Sequence, residues 1–80
     1  MDDRNVTDHI NDLAREEHAL FEREAQGQAT DADRERLLHI QTMLDQCWDL
    51  LRQRRARREF GMNPDDARVR DEKTVRGYTG

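Results

Sequence analysis

The stretch LDQCWDLLRQRRARR, residues 44–58, decides the fold of this chain. Its apolar residues recur at steps of three and four, which is the spacing of one face of an α-helix. The same pattern passes without a break into five arginines within seven residues. The stretch therefore predicts a long helix with an apolar seam and a basic end, and we expect the rest of the chain to be arranged around it.

This predicted second helix covers residues 31–60. Acidic residues near its start and arginines near its end both favour the helix dipole. Gly61 suits the left-handed residue that ends a helix, and Pro64 cannot continue one. Trp48 lies on the seam, where we expect it to anchor the core. The main seam consists of Leu37, Ile40, Leu44, Cys47, Trp48 and Leu51.

A first helix is predicted over residues 5–26, with Asn5 or Thr7 as its N-cap. Its apolar positions again follow helical spacing: Val6, Ile10, Leu13, Ala14, Leu20, Phe21 and Ala25. Gly27 and Thr30 break the pattern, and so short a connection makes the two helices antiparallel. If the turn is centred near residue 28 or 29, paired positions sum to about 57, which places Val6 beside Leu51.

We therefore predict an all-α fold, an antiparallel two-helix hairpin over residues 1–61, followed by a C-terminal arm over residues 62–80. The arm has little periodicity and few large apolar residues, so we expect it to be disordered, or extended and docked on a neighbouring hairpin or partner.

The composition predicts self-association. A chain of 80 residues with 34% hydrophobic and 40% charged residues builds a core worth only about 3–5 kcal/mol without a further stabilising feature. One cysteine cannot form an internal disulfide, and no Cys/His cluster offers a structural zinc site. We expect a homodimer, forming a four-helix bundle, with Met43, Cys47 and Leu50 near the second interface.

Charge is divided unevenly along the chain. Residues 1–51 carry five arginines and thirteen acids, whereas residues 52–80 carry nine basic and five acidic residues. Such an acidic body with a basic end indicates association by charge. No stretch approaches the roughly 18 apolar residues of a membrane span, and the N-terminus lacks the apolar region of a secretion signal, so we expect a cytoplasmic protein without a membrane partner.

Several segments together resemble a known family. They are REEHALFERE at residues 15–24, DRERL at residues 33–37, CWDLLRQRR at residues 47–55 and NPDDARVR at residues 63–70. In this combination the chain resembles a family of short, uncharacterised actinobacterial proteins classed as a domain of unknown function. The resemblance implies a small cytoplasmic helical hairpin, and it implies no activity, cofactor or catalytic residue.

Catalytic and metal-binding interpretations are weaker than structural ones. The Glu-x-x-His spacing of di-iron bundles is absent. His18 and His39 each have a glutamate four residues away, but the helical pattern turns His39 toward solvent, where a fixed coordination shell is hard to hold. Cys47 could act as a nucleophile with His9 as its base, yet a lone cysteine on an apolar seam usually behaves as a small buried hydrophobe. We expect no enzyme activity and no cofactor.

The arginine run is the one feature of the sequence that a structural role does not fully explain. Its members, Arg52, Arg54, Arg55, Arg57 and Arg58, lie around the whole circumference of the helix, so they cannot all pair with acids of the first helix. Dipole complementation and salt bridges explain part of the run. We predict a non-enzymatic interaction or regulatory protein whose basic helix end and C-terminal arm bind a larger protein assembly. The alternative is a ribosome- or nucleic-acid-associated factor that binds phosphate backbone.

Overall fold

The computed structural model describes residues 2–76, without the side chains of Thr74 and Arg76. Helix α1 spans Asp3–Ala25, helix α2 spans Asp31–Glu59, a 3-10 turn spans Pro64–Asp66, and a short helix α3 spans Glu72–Arg76. Within these residues there is no strand, and no helix is long and apolar enough to cross a membrane. The prediction of an all-α fold with two main helices is confirmed.

The ends of the helices are fixed by short polar side chains. Asp2 caps α1, because its carboxylate accepts a hydrogen bond from the backbone N–H of Asn5 at 2.9 Å. The predicted caps Asn5 and Thr7 are therefore wrong, since an acidic residue three positions earlier already satisfies the first turn. Asp2 also places a negative charge at the positive end of the helix dipole.

The turn between the helices follows the predicted chemistry. Gly27 has a φ of 72°, the left-handed conformation that glycine adopts without steric cost. Thr30 caps α2 in a reciprocal arrangement. The Thr30 hydroxyl accepts from the Asp33 N–H at 3.1 Å, and the Asp33 carboxylate accepts from the Thr30 N–H at 3.0 Å. Two free backbone N–H groups are satisfied at once, which fixes the point where α2 begins.

Contacts along the hairpin show that the two helices are antiparallel. Near the turn, Arg23 donates to Asp33 at 2.9 Å. One level further, Arg36 and Glu16 form two hydrogen bonds, at 2.5 and 2.9 Å. At the open end, residues of both helices form one apolar cluster that contains Val6, Ile10, Leu50 and the half-buried Leu44, Cys47 and Leu51.

The core of the hairpin is small and lies mostly on one side of each helix. Ile40 is fully buried, and the other buried apolar side chains are Val6, Ile10, Leu13, Leu50 and Val75. Val75 belongs to α3, so the C-terminal arm supplies part of the core. A core of this size gives the single chain only a small free energy of unfolding, because complete burial of an aliphatic side chain contributes only about 1.5–3 kcal/mol.

Trp48 does not anchor this core. Trp48 is 49% exposed, so the prediction that it anchors the core is wrong for the single chain. The apolar arc of α2 is wider than one helix can cover, and α1 contacts the part of the arc that contains Ile40 and Leu51. Trp48 lies at the edge of that arc, about 80° around the helix from Ile40.

The C-terminal arm reverses direction after α2. Gly61 has a φ of 69°, and the Met62 N–H donates to the Arg57 carbonyl at 2.7 Å, which closes the helix end. Asn63 then caps the 3-10 turn. The chain is thereby directed back along α2, so residues 62–76 pack on their own helix instead of reaching toward a neighbour. Tyr78, assigned to the arm from sequence, lies outside the described residues.

Two glutamines of α2 hold the returning segment. Gln53 donates to the Arg68 carbonyl at 2.6 Å and accepts from the Arg68 N–H at 3.4 Å. Gln46, two helical turns earlier, donates to the Arg70 carbonyl at 3.2 Å. These side-chain amides satisfy backbone groups that would otherwise have no partner in an extended segment.

A buried carboxylate fixes the same segment from beneath. Asp49 is 2% exposed, and it accepts hydrogen bonds from Gln53 at 2.9 Å and from the Arg70 guanidinium at 3.0 Å. Burial of a charge is costly unless the charge is paired and hydrogen-bonded. The Asp49–Arg70 pair therefore makes the fold of α2 depend on the position of the arm.

We expect Gln53→Ala to loosen the arm while leaving the hairpin formed. The substitution removes three hydrogen bonds of Gln53 and leaves backbone groups of Arg68 unpaired. Hydrogen exchange measured by mass spectrometry should become faster across residues 62–76 and stay unchanged near the turn. Gln41→Ala, at a half-buried glutamine of the same helix, is the matched control. Equal exchange in the arm of both variants would contradict the bridging role.

Candidate functional site

The arginine run divides into two groups according to what each guanidinium contacts. Arg54 is 6% exposed. Its Nε donates to Asp3 at 2.6 Å, and its Nη1 donates to the Asp65 carboxylate at 3.1 Å and to the Pro64 carbonyl at 3.2 Å. This one side chain joins the start of α1, the end of α2 and the 3-10 turn.

Arg58 completes the same cluster by donating to the second carboxylate oxygen of Asp3. Hydrogen bonds from Arg58 and from Arg54 lower the pKa of Asp3 to about 2, since a carboxylate that accepts from two cations resists protonation. Both cations are in turn held in the charged form, with the pKa of each guanidinium raised chiefly by its hydrogen bond to Asp3. Arg54 and Arg58 therefore form the kind of salt bridges by which the sequence analysis explained part of the arginine run.

The guanidinium groups of the other three arginines have no hydrogen bond or ion pair within the described residues. Arg52 and Arg55 are exposed, and Arg57 is half-buried. They differ in direction, because five residues separate Arg52 from Arg57 and each residue turns the helix by about 100°. Arg52 and Arg57 border one groove, whereas Arg55 follows Trp48 by seven residues and lies on the same side as that tryptophan.

That groove is formed where the returning arm leaves a gap beside the last three turns of α2. Its volume is about 590 Å³, and its lining consists of Asp49, Arg52, Gln53, Ala56, Arg57, Phe60, Met62 and Arg70. Phe60 is 78% exposed and Met62 is 52% exposed. We call it the arginine groove. It combines the guanidinium groups of Arg52 and Arg57, which have no partner within the described residues, with the exposed side chains of Phe60 and Met62.

Sequence reasoning identified the arginines of this site but could not identify the groove. The groove exists because the arm folds back, which brings Met62 and Arg70 beside α2. The sequence signal that could have indicated it is the pair Gln46 and Gln53, two amides seven residues apart on a face away from the apolar seam. Such a pair can hold an extended segment on an otherwise solvated helix face.

The arrangement suits an anionic and partly apolar ligand. Guanidinium groups form directional, charge-assisted hydrogen bonds with carboxylates and phosphates. Exposed Phe and Met side chains favour protein contacts, since aromatic residues, Met and Arg are enriched at the buried centre of interfaces. The Asp49 carboxylate beneath the groove is occupied by Gln53 and Arg70, which reduces its repulsion of an anion.

The residues predicted near a second interface pack within the single chain or line a groove beside the arm. Leu50 is 7% exposed and packs with Val6 and Ile10, so its side chain is already covered within the single chain. Cys47 packs against that cluster. Met43 lines an apolar groove of about 260 Å³ that also contains Val69 of the arm. The arm covers this side of α2.

Cys47 lines that same apolar groove together with His9. Burial raises the pKa of the Cys47 thiol, because desolvation disfavours the thiolate. A nucleophilic cysteine requires the opposite shift. The geometry therefore supports a packing role for this thiol.

Metal-ligating residues are dispersed. His18 forms an ion pair with Glu22 at 3.2 Å on the exposed surface of α1. Within residues 2–76, no group of three His, Cys, Asp or Glu residues is placed to hold a metal ion.

Comparisons with known proteins identify the family. The chain matches, over residues 2–80, the family described as protein of unknown function (DUF2630). Uncharacterized proteins of Mycobacterium bovis and of Mycobacterium tuberculosis are each 46% identical to it over 79 residues, covering 98% of this chain and 91% of each relative. No solved structure matches the chain. The chain belongs to this family, and the resemblance found in the sequence is confirmed.

We expect Asp3→Asn to destabilise the fold in a pH-dependent way. The folded pKa of Asp3 is depressed, so its carboxylate stabilises the fold above its unfolded pKa of about 4, and this contribution is lost as the pH falls toward about 2. Because Asp3 is partly exposed, the loss at neutral pH should be only about 1–2 kcal/mol.

Urea unfolding at neutral pH and near pH 2 should show this difference shrinking in acid. Asp2→Asn is the matched control, because asparagine also caps a helix and Asp2 has no arginine partner within the described residues. A difference between Asp3→Asn and the unaltered chain that is independent of pH would contradict the shared ion pair.

We expect a thiol reagent to label Cys47 slowly in the folded protein. The thiol is half-buried and its pKa is raised, so little thiolate is exposed near neutral pH. Absorbance-detected labelling with and without denaturant measures the effect, and unfolding should accelerate it about tenfold or more. Rapid labelling of the folded chain would restore the nucleophile interpretation.

Proposed function

We propose that this member of a family of unknown function is a non-enzymatic interaction protein of the cytoplasm. In this proposal the arginine groove binds an acidic, partly apolar segment of a larger protein assembly. One observation carries the proposal: Arg52 and Arg57, which have no partner within residues 2–76, border a groove whose Phe60 and Met62 are 78% and 52% exposed.

The fold itself uses three of the arginines near the groove. Arg54 and Arg58 are used by the ion pairs with Asp3, and Arg70 is used by Asp49. Arg52 and Arg57 make no such contribution. Two cations in one stretch repel each other and, at an exposed helix end, contribute at most a few tenths of a kcal/mol through the dipole. Their arrangement around the arginine groove is better explained by a ligand with carboxylates.

The charge balance favours protein over nucleic acid. Binding to a phosphate backbone draws on many cations along one path. Here the chain has a net charge of −4, and three arginines near the groove are already neutralised by carboxylates. An acidic peptide with an apolar anchor needs only two guanidiniums and one pocket, since a few buried contacts dominate most protein interfaces.

We also propose that two hairpins associate as a homodimer and form a four-helix bundle. The support is the small core together with large apolar side chains that remain on the helix surface, Phe21 at 45% and Trp48 at 49% exposure. Self-association would bury such side chains and add stability that a single chain of this size lacks.

We expect Arg52→Ala/Arg57→Ala to abolish partner capture without unfolding the chain. Immobilised protein would be incubated with a lysate of the cells that produce it, with and without nuclease, and retained proteins identified by mass spectrometry. Loss of one recurrent partner supports the groove. Because neither arginine has an ion pair in the described residues, the circular dichroism of the variant should be unchanged.

Arg4→Ala/Arg15→Ala is the matched control, because it removes two exposed arginines of α1 and the same net charge. It should retain the partner. Equal capture by the groove variant and the unaltered chain would overturn the proposal. Capture that disappears with nuclease, or a steep linear fall in the logarithm of affinity for an RNA oligonucleotide against the logarithm of salt concentration, would favour the nucleic-acid alternative.

A further inference from the structure

The arginine groove contains a carboxylate that the returning arm already occupies. Asp49 and Arg52 both line the groove. Asp49 is 2% exposed and accepts a hydrogen bond from the Arg70 guanidinium at 3.0 Å. The guanidinium of Arg52, in contrast, has no partner within the described residues. A paired carboxylate and an unpaired cation are therefore neighbours in the same groove.

Asp49 and Arg52 have the spacing at which this chain forms ion pairs along a helix. Residues three apart are neighbours on a helix surface, and an acid that precedes a base is the favourable order. The structure contains two aspartate–arginine pairs of this spacing, one in each long helix: Asp12–Arg15 at 3.8 Å and Asp31–Arg34 at 2.9 Å. The local sequence therefore favours an Asp49–Arg52 pair as well.

Another partner explains why that pair does not form. At Asp33 and Arg36, which have the same spacing, both groups instead pair with residues of α1. Asp49 and Arg52 differ from them, because only the carboxylate has another partner in the part of the chain that the structure describes. Arg70 of the arm occupies Asp49, and Arg52 remains available to the groove.

Release of Arg70 from Asp49 would change the charge of the groove at two points. The Asp49 carboxylate would lose its cation and repel an anionic ligand. It would also attract Arg52, whose guanidinium would then no longer be available to that ligand. Gln53, which donates to Asp49 at 2.9 Å, is neutral and does not offset the charge. Both changes lower the affinity of the groove for carboxylates.

We propose that Arg70 is a positioning residue that keeps Arg52 available to the ligand of the arginine groove. The groove then binds an anion while the arm is docked. When the arm is released, Asp49 pairs with Arg52 and the anion site is lost. The inference rests on the proposed function and adds its regulation, because any event that displaces residues 62–76 from α2 also lowers the affinity for an acidic segment.

Binding of a defined probe tests the role of Arg70. The probe is the synthetic peptide acetyl-Glu-Glu-Leu-Glu-Glu-amide, and its affinity is measured by NMR titration of the protein. Arg70→Ala should weaken binding about tenfold. Arg70→Ala/Asp49→Asn should restore most of the affinity, because Arg52 then has no carboxylate beside it. A double variant that binds as weakly as Arg70→Ala would show that Arg70 only maintains the shape of the groove, and would overturn the proposal.

Arg68→Ala is the matched control, since it removes another arginine of the arm and the same charge. Within the described residues Arg68 forms hydrogen bonds only through its backbone, to Gln53. Its affinity for the probe should equal that of the unaltered chain. An equal loss of affinity in Arg68→Ala and Arg70→Ala would assign the effect to the net charge of the arm and would also overturn the proposal.

The side chain of Arg52 provides a measurement that needs no ligand. Its Nε–H proton should exchange rapidly with water in the unaltered chain, where the guanidinium has no partner among the described residues. In Arg70→Ala this exchange should become several-fold slower, because the Asp49 carboxylate accepts a hydrogen bond from the guanidinium. Addition of Asp49→Asn should reverse the effect. NMR detects the Nε–H signal directly, and unchanged exchange in Arg70→Ala would overturn the transfer of Asp49 from one arginine to the other.

The outcomes separate this inference from the proposed function. If the unaltered chain binds the probe and Arg70→Ala binds it equally well, the role of Arg70 is overturned and the groove remains a site for acidic segments. If the unaltered chain does not bind the probe but the Arg52 signal responds as expected, the acidic ligand is overturned and the exchange of partners at Asp49 is supported.

Discussion

The ion-paired cluster around Arg54 is the constraint on which the rest of the structure depends. The guanidinium is 6% exposed and contacts Asp3, Asp65 and the Pro64 carbonyl, so it joins three segments that are distant in sequence. An unpaired charge at such a depth would cost several kcal/mol. The start of α1 and the turn after α2 must therefore both be in place before Arg54 can be buried, which couples the open end of the hairpin to the position of the arm.

The arm then contributes through polar contacts more than through apolar ones. Val75 is its one fully buried apolar residue within the described side chains, while Gln46, Gln53 and Asp49 supply hydrogen bonds and an ion pair to it. Individual hydrogen bonds of this kind contribute about 0.5–1.5 kcal/mol. The arm is thus held by several modest contacts that act together, and its position determines which sides of α2 are covered and which remain open.

Much of the hairpin could be predicted from the sequence, because helical periodicity, turn glycines and a threonine cap are local signals. Leu50 and Trp48 could not be assigned correctly, since both lie on an apolar arc wider than one helix covers, and periodicity does not say which edge of such an arc receives a further segment. Here the arm covers the edge with Leu50. The arginine groove was likewise beyond local signals, because Met62 and Arg70 reach it only after the chain reverses at Gly61.

The division of the arginine run follows from helix geometry. Arg54 and Arg58 are four residues apart and face α1, where one carboxylate receives both. Arg52 and Arg57 lie about 140° and 80° from the middle of that face, on either side of it, and neither guanidinium has a partner within the described residues. Two unpaired cations beside that ion-paired cluster add repulsion without adding a contact. Folding alone gains from them at most a few tenths of a kcal/mol through the helix dipole, whereas carboxylates of another molecule would offset the repulsion that the single chain retains.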